Sequence, residues 1–218
     1  MKTVAFVPIK LNSVRLPHKN ILLLDNKPLC WHIVSTLLQV NTIDEVYVYC
    51  SDASIKQYIS TEAIFLIRPE VLNGDFVKGE EIYRSFINQV SADVYILAHA
   101  TSPFVKQSTI KIALNRVLNS ENDSAFTARK IQTFAWYDNS PINYSPDNIP
   151  RTQDITPIYV ETSAFYIFKK ELFIKYNRRI GFNPYIQITD EMESIDIDYQ
   201  HDYDMAKLWI EVKKNEIK

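Results

Sequence analysis

Apolar and polar positions fall into a repeating rhythm along the first 128 residues of this chain. Short runs rich in Val, Ile, Tyr and Phe are followed by longer stretches whose apolar residues recur three and four apart. The first pattern predicts buried strands and the second amphipathic helices. On this basis strands are expected up to Pro8 and over residues 45–50, 63–67, 93–98 and 123–129, and helices over 29–40, 78–90 and 109–118. Strand and helix in turn imply an α/β fold. The rhythm then breaks. Residues 133–157 hold Trp136, Tyr137, Tyr144 and several prolines with little periodicity, which marks a lid, a partner contact or a surface excursion. A last helix is expected from about Asp202, with Ala206, Leu208, Trp209 and Val212 as its apolar contacts and Lys213, Lys214 and Lys218 near its C-terminal end.

The connection after the first strand changes the picture from fold to chemistry. It carries Lys10, Arg15 and Lys19 interleaved with Asn12, Ser13 and Asn20. A polyphosphate brings several negative charges into a small volume, so its receptor needs cations, short side-chain donors and free backbone N–H groups together. A solvated basic turn is the plain alternative. Neither the P-loop fingerprint nor the Gly-x-Gly-x-x-Gly dinucleotide fingerprint occurs. Further along, Asp196 and Asp198 fall on one face of any extended segment, because side chains there alternate with period two. Two such carboxylates suit Mg²⁺, which is commonly held by one or two of them together with substrate phosphates and water. Ser51 or Asp52 can cap a short helix after the second strand, and Thr101 and Ser102 end the most apolar strand, where open α/β sheets place ligands.

Composition narrows the classes. A chain of 218 residues that is 46% hydrophobic and 23% charged can bury one core, and a single domain over 1–218 is expected. Net charge is −2, with Lys and Arg scattered outside the opening loop, which disfavours nucleic acid as a partner. The chain has no run of 18 apolar residues, so neither a membrane span nor a secretory leader is expected and a cytoplasmic location is. Two cysteines, Cys30 and Cys50, fit neither a zinc spacing nor a disulfide framework and read as buried thiols. With only three glycines, tight turns must rest on Asn, Asp and the ten prolines.

Several segments, in order, resemble the acylneuraminate cytidylyltransferase family, which makes CMP-activated sugars and includes the related CMP-Kdo synthetases. Pro8, Ser13, Leu16, Pro17, Lys19 and Asn20 match its first motif, with Lys10 in place of an arginine, Asn12 in place of a glycine and Val14 in place of a lysine. Asn tolerates left-handed backbone angles, so Asn12 is expected to preserve the loop shape. Lys27-Pro28-Leu29 continues the likeness, and Arg68 stands where the family has an arginine bordering base and phosphates. Thr101-Ser102-Pro103 is retained, whereas His99 replaces a glutamine on the acceptor side. Arg151, Gln153, Asp154, Tyr159, Glu161, Ala164, Phe165 and Tyr166 follow the family pattern, with Thr162-Ser163 in place of Asn-Gly. Ile195-Asp196-Ile197-Asp198 resembles its metal-binding signature.

The resemblance implies a three-layer α/β/α nucleotidyltransferase fold with a mostly parallel sheet, and an excursion around residues 133–190 that forms the acceptor pocket and a homodimer contact. It implies transfer of CMP from CTP to a small anionic acceptor with release of pyrophosphate. Lys10, Asn12, Ser13, Arg15, Lys19 and Asn20 would cradle the triphosphate, with Lys19 and Arg15 as catalytic cations. Ser51, Asp52, Arg68 and Thr101 would border the nucleotide, His99, Arg151, Gln153, Glu161 and Thr162 the acceptor, and Asp196 and Asp198 would hold Mg²⁺. A nonulosonic acid or Kdo-like sugar acid is the expected acceptor, and a phosphonate or phosphorylated polyol the alternative. A non-catalytic nucleotide- or sugar-binding module is the competing class, and retention of Lys19 with both aspartates speaks against it.

Overall fold

A computed structural model describes residues 1–216. Strand β1 (Thr3–Ile9) leads through the basic loop to a two-residue pairing of β2 (Leu23–Leu24) with β3 (Lys27–Pro28), and helix α1 (Leu29–Leu38) follows. Then come β4 (Glu45–Cys50), β5 (Ile64–Ile67), α2 (Gly79–Gln89), β6 (Val94–Ala98), α3 (Gln107–Asn119) and β7 (Ser124–Ile131). The second half contains β8 (Trp136–Tyr137), β9 (Ser140–Pro141), β10 (Ile158–Lys169), α4 (Lys170–Tyr176), β11 (Pro184–Ile188) and α5 (Gln200–Glu216). Seven strands form one sheet in the order β11-β7-β10-β6-β1-β4-β5. β6, β1, β4 and β5 run parallel, while β10 is antiparallel to both β6 and β7.

Both sheet faces are covered, which is why the central strands are apolar without alternation. On one face α1 and α3 press Ile33, Val34, Leu37, Ile110 and Leu114 onto Ala5, Val7 and Ile96. On the other, α2 and α4 bring Tyr83, Phe86, Leu172 and Phe173 onto Phe6, Tyr95 and Phe168, with Phe6 stacked on Phe86 at 4.2 Å between ring centroids. The three expected layers are present. Cys30 and Cys50 are both buried and free, and burial pushes the Cys30 thiol up to about 12.

Three expectations need correction. Residues 133–157 are not without structure, since β8 and β9 pair as a hairpin. Its turn, Asp138-Asn139, has both φ angles positive at 44° and 61°, the backbone that a two-residue hairpin loop demands. The strands are too short to show periodicity. In α5 the packed stripe is Tyr203, Ala206 and Ile210, whereas Leu208 and Val212 are about half exposed. The helix is rotated so that Ala206 meets the cluster of Leu16, Leu24, Leu29 and Ile197. Lys218 lies outside the described residues. In the basic loop the left-handed residue is His18, with φ 54°, and not Asn12.

Candidate functional site

The sheet changes winding direction between β1 and β6. From β1 the chain proceeds outward to β4 and β5, then returns to place β6 on the other side of β1. The carboxyl ends of strands at such a switch point leave a crevice for ligands. A cavity of about 420 Å³ opens there, walled by the loop after β1, by His99, Ala100 and Thr101 after β6, and by Ser163, Asp196 and Asp198.

The cationic wall is built by the loop folding back on itself. Asn20 is buried and its amide donates to the Lys10 carbonyl at 2.8 Å, which closes the loop around Asn12 to Lys19. Leu16 is 5% exposed and anchors the middle of the loop in the cluster with Ile197. Lys10, Asn12, Ser13, Arg15 and Lys19 line the cavity, and Val14, 83% exposed, borders it as well. Lys10 also pairs with Asp75 at 3.0 Å.

The acidic wall comes from the segment before α5. Ile197 is fully buried and its N–H donates to the Thr101 carbonyl at 2.8 Å, while Asp196 and Asp198 on either side of it line the cavity. The alternation expected from the sequence therefore holds. Asp198 is gripped by Lys19 at 2.5 Å and by Arg15 at 2.6 Å, one cation on each oxygen. Asp196 is different. Burial raises its carboxyl above the usual range, with the Thr101 hydroxyl opposing, and its Oδ1 is buried without a hydrogen-bond partner. Among the described residues there is no group of three or more His, Cys, Asp or Glu able to enclose a metal. Two carboxylates, one with an orphaned oxygen, fit Mg²⁺ that completes its shell with phosphate and water, and do not fit a protein-only cage.

Glu193 holds this segment in place. It is 5% exposed and accepts from the Lys106 N–H at 2.8 Å and from the Thr109 hydroxyl at 2.6 Å, tying the segment to the start of α3. Nothing in the sequence distinguished Glu193 from a surface acid, since its partners are more than eighty residues away.

His99 lines the cavity with its Nδ1 hydrogen-bonded to the Ser163 carbonyl, and burial lowers its pKa, which favours the neutral ring. Ser163 has φ 57°, at the point where the β10–β7 register shifts, so the strand bulges there. This is where the glycine of the Asn-Gly pair falls in the resemblance, and the left-handed backbone is its reason. Glu161 and Thr162 border a neighbouring cavity of about 250 Å³ that shares Ser163 and Asp196 with the first and adds Arg129. The Thr162 hydroxyl is buried without a partner. Arg129 carried no signal in the sequence beyond an ordinary strand-end charge.

Other expected site residues stay apart from this cavity. Arg68 is 2% exposed and donates to Asn73, which exchanges hydrogen bonds with Ser51. Asp52 caps the following turn by accepting from the Ser54 N–H at 2.8 Å. Neither these residues nor Arg151 and Gln153 line the cavity. Arg151 is exposed and paired with Asp154 at 2.7 Å, an i, i+3 contact within its own turn.

An open sheet whose switch-point crevice sets cations against paired carboxylates is an α/β arrangement suited to a polyphosphate. More narrowly, the chain belongs to the cytidylyltransferase family, whose sequence model matches residues 4–216. It is similar to an N-acylneuraminate cytidylyltransferase of Streptococcus agalactiae, 23% identical over 215 residues that cover 93% of this chain and 52% of that protein. It is also similar to a pseudaminic acid cytidylyltransferase of Campylobacter jejuni, 23% identical over 229 aligned residues covering 97% of each. The chain spans about half the length of the first curated relatives it matches. Among solved structures, CMP:2-keto-3-deoxy-manno-octonic acid synthetase complexed with CTP shares the fold, with a TM-score of 0.74 at 17% identity, covering 98% of this chain and all of that one. No helix among the described residues is long and apolar enough to cross a membrane.

Proposed function

We propose that this chain is a CTP-dependent cytidylyltransferase that transfers CMP to a sugar acid of the nonulosonic or Kdo type and releases pyrophosphate, supplying surface glycan synthesis. One observation carries the reading: Lys10, Arg15 and Lys19 face Asp196 and Asp198 across a single cavity. Family membership and the curated relatives support CTP as the nucleotide and a sugar acid as the acceptor.

In this reading Lys10 and Lys19 act as point charges and Arg15 as a bidentate fork on the triphosphate, with Asn12 and Ser13 supplying short donors. The acceptor oxygen forms a bond to the α-phosphorus while the bond to the bridging oxygen on the β side breaks, and pyrophosphate leaves with that electron pair. Lys19 and Arg15, released from Asp198 by the incoming phosphates, stabilise the charge that grows on the departing group. Asp196 and Asp198 would hold Mg²⁺, which when bound would supply further charge screening as a Lewis acid. Positioning and electrostatics suffice for such a transfer, so no dedicated base is assigned. Neutral His99, Glu161 and Thr162, together with Arg129, form the acceptor side, and the exposed Trp136, Tyr137 and Ile142 of the 133–157 arm form a homodimer contact.

Purified protein with Mg²⁺, each of the four NTPs and a panel of sugar acids, phosphonates and phosphorylated polyols tests the reading by pyrophosphate release. Release is expected with CTP and a sugar acid. Release only with a phosphonate or polyol would move the acceptor class, and none with any pair would favour a binding module.

A further inference from the structure

A cavity of about 530 Å³ opens between α2, α4 and the connection to β11. It has no lining residue in common with the cavity that holds Lys19 and Asp198, or with its neighbour beside Arg129, so it is separate from both. Its walls carry three cations, Lys78, Arg178 and Arg179, against one carboxylate, Glu80. Asn177, in the same wall, accepts from a fourth cation, Arg84, at 2.6 Å. In a chain whose net charge is −2 this is a local excess of positive charge.

Arg179 is the least solvated of the three. It is half-buried where Lys78 and Arg178 are exposed, with its guanidinium carbon 3.8 Å from the Tyr166 ring centroid. It donates to the Tyr83 hydroxyl at 3.0 Å and to the Tyr166 hydroxyl at 3.2 Å. A guanidinium has five N–H donors in a planar fork, and two neutral hydroxyls leave most of them unused. Among the described residues no carboxylate comes within ion-pair distance of Arg179, Arg178 or Lys78. Withdrawing such a charge from water without a counter-ion is costly, and an anion entering the cavity would compensate it.

We propose that this cavity binds a small organic phosphate monoester, at a site separate from the one proposed for CTP and its acceptor. Three cations against one carboxylate leave two positive charges in excess, which match a phosphate dianion better than a single carboxylate. The Arg179 fork, steadied by the two tyrosine hydroxyls, takes the phosphate, and Lys78 and Arg178 add charge at the rim. The cavity is larger than a lone phosphate needs, and Tyr83, Phe173 and Ile180 offer apolar surface to a carbon skeleton. Such a ligand bridges Lys78, just before α2, and the Arg178–Arg179 pair after α4, so its binding should also raise Tm. The assignment holds whether or not the chain is a cytidylyltransferase.

Calorimetric titration of glycerol 3-phosphate, glucose 6-phosphate, inorganic phosphate and glucose tests the site. At least one ester is expected to bind more tightly than inorganic phosphate, and glucose is expected not to bind. The ester's affinity should fall roughly tenfold or more in Arg179→Gln, fall less in Arg178→Ala and stay unchanged in Lys19→Gln. It should rise in Glu80→Gln, which removes the one carboxylate from the walls. No binding of either ester by the wild type would overturn the proposal. So would an affinity that Lys19→Gln lowers and Arg179→Gln does not, because the anion would then sit in the loop after β1. Inorganic phosphate binding as tightly as both esters would overturn the ester assignment in favour of a free-phosphate site. Should Arg179→Gln fail to fold, the exposed positions Arg178 and Glu80 decide: shifts in opposite directions support the site, and unchanged affinity in both variants overturns it.

Discussion

Lys19 and Asp198, 179 residues apart in the chain, meet at 2.5 Å across the floor of the cavity that follows β1. Arg15 holds the other oxygen of the same carboxylate. Without ligand, Asp198 thus neutralises two of the cations that a triphosphate would need. The Asp198→Asn change should therefore move two quantities in opposite directions. Binding of CTP without metal tightens, because both cations are released, while Mg²⁺-dependent turnover falls by at least about a hundredfold. Metal-free calorimetry and steady-state kinetics measure the two effects, and chelation of Mg²⁺ should reproduce the second in the wild type.

Asp196 carries a cost to the fold. Its carboxylate is largely buried and one oxygen has no partner. The Asp196→Asn variant is expected to be more stable without ligand, by about 1 kcal/mol or a few degrees in Tm, and to lose metal-dependent activity. Thermal denaturation without metal gives the first readout. A loss of stability would mean that the carboxylate is better solvated than its surroundings indicate.

Much of the frame was legible in the sequence because it follows from periodicity. The Val-rich and Ile-rich runs became the parallel strands, and Ile197 between two aspartates became a buried anchor that turns both acids to one side. Long-range partners were not legible. Glu193 and Arg129 owe their places to residues brought near by the sheet, and neither propensity nor spacing encodes that. Arg68 has a partner that the sequence did not show: it donates to Asn73, which in turn exchanges hydrogen bonds with Ser51. Arg151 pairs with Asp154 within its own turn.

Glu193 acts on the site only through position. Replacing it with Ala removes acceptors from the Lys106 N–H and the Thr109 hydroxyl, at a cost of about 2–3 kcal/mol, and loosens the segment carrying Asp196 and Asp198. Chemical denaturation should show the loss. Turnover should fall as well, and Glu193→Gln, which keeps an acceptor in place, should recover most of both.

Asp123 fixes the turn before β11 and should make stability depend on acid. Burial pushes its carboxyl up, but the Phe182 N–H at 2.6 Å, the Ser124 hydroxyl at 2.8 Å and the Asn183 N–H at 3.1 Å hold it below the usual range. A lowered folded-state pKa contributes stability above the unfolded value of about 3.9, and the contribution is lost as pH falls through the lower folded value. The stability difference between wild type and Asp123→Asn is therefore expected to be constant near neutrality and to shrink below about pH 4. A difference that grew on acidification would contradict the assignment. The same carboxylate requires a glycine at 181, because a Cβ there would come within 2.2 Å of Asp123 Oδ1.

The central claim is that the cavity between Lys19 and Asp198 is a CTP site. Its most direct test is calorimetric titration of CTP, UTP, ATP and GTP, each with Mg²⁺, into the wild type and Lys19→Gln. The account predicts one CTP bound per chain, in preference to the other three, with affinity reduced about tenfold or more in Lys19→Gln. Equal affinity for all four nucleotides, or CTP binding that Lys19→Gln leaves unchanged, would contradict it.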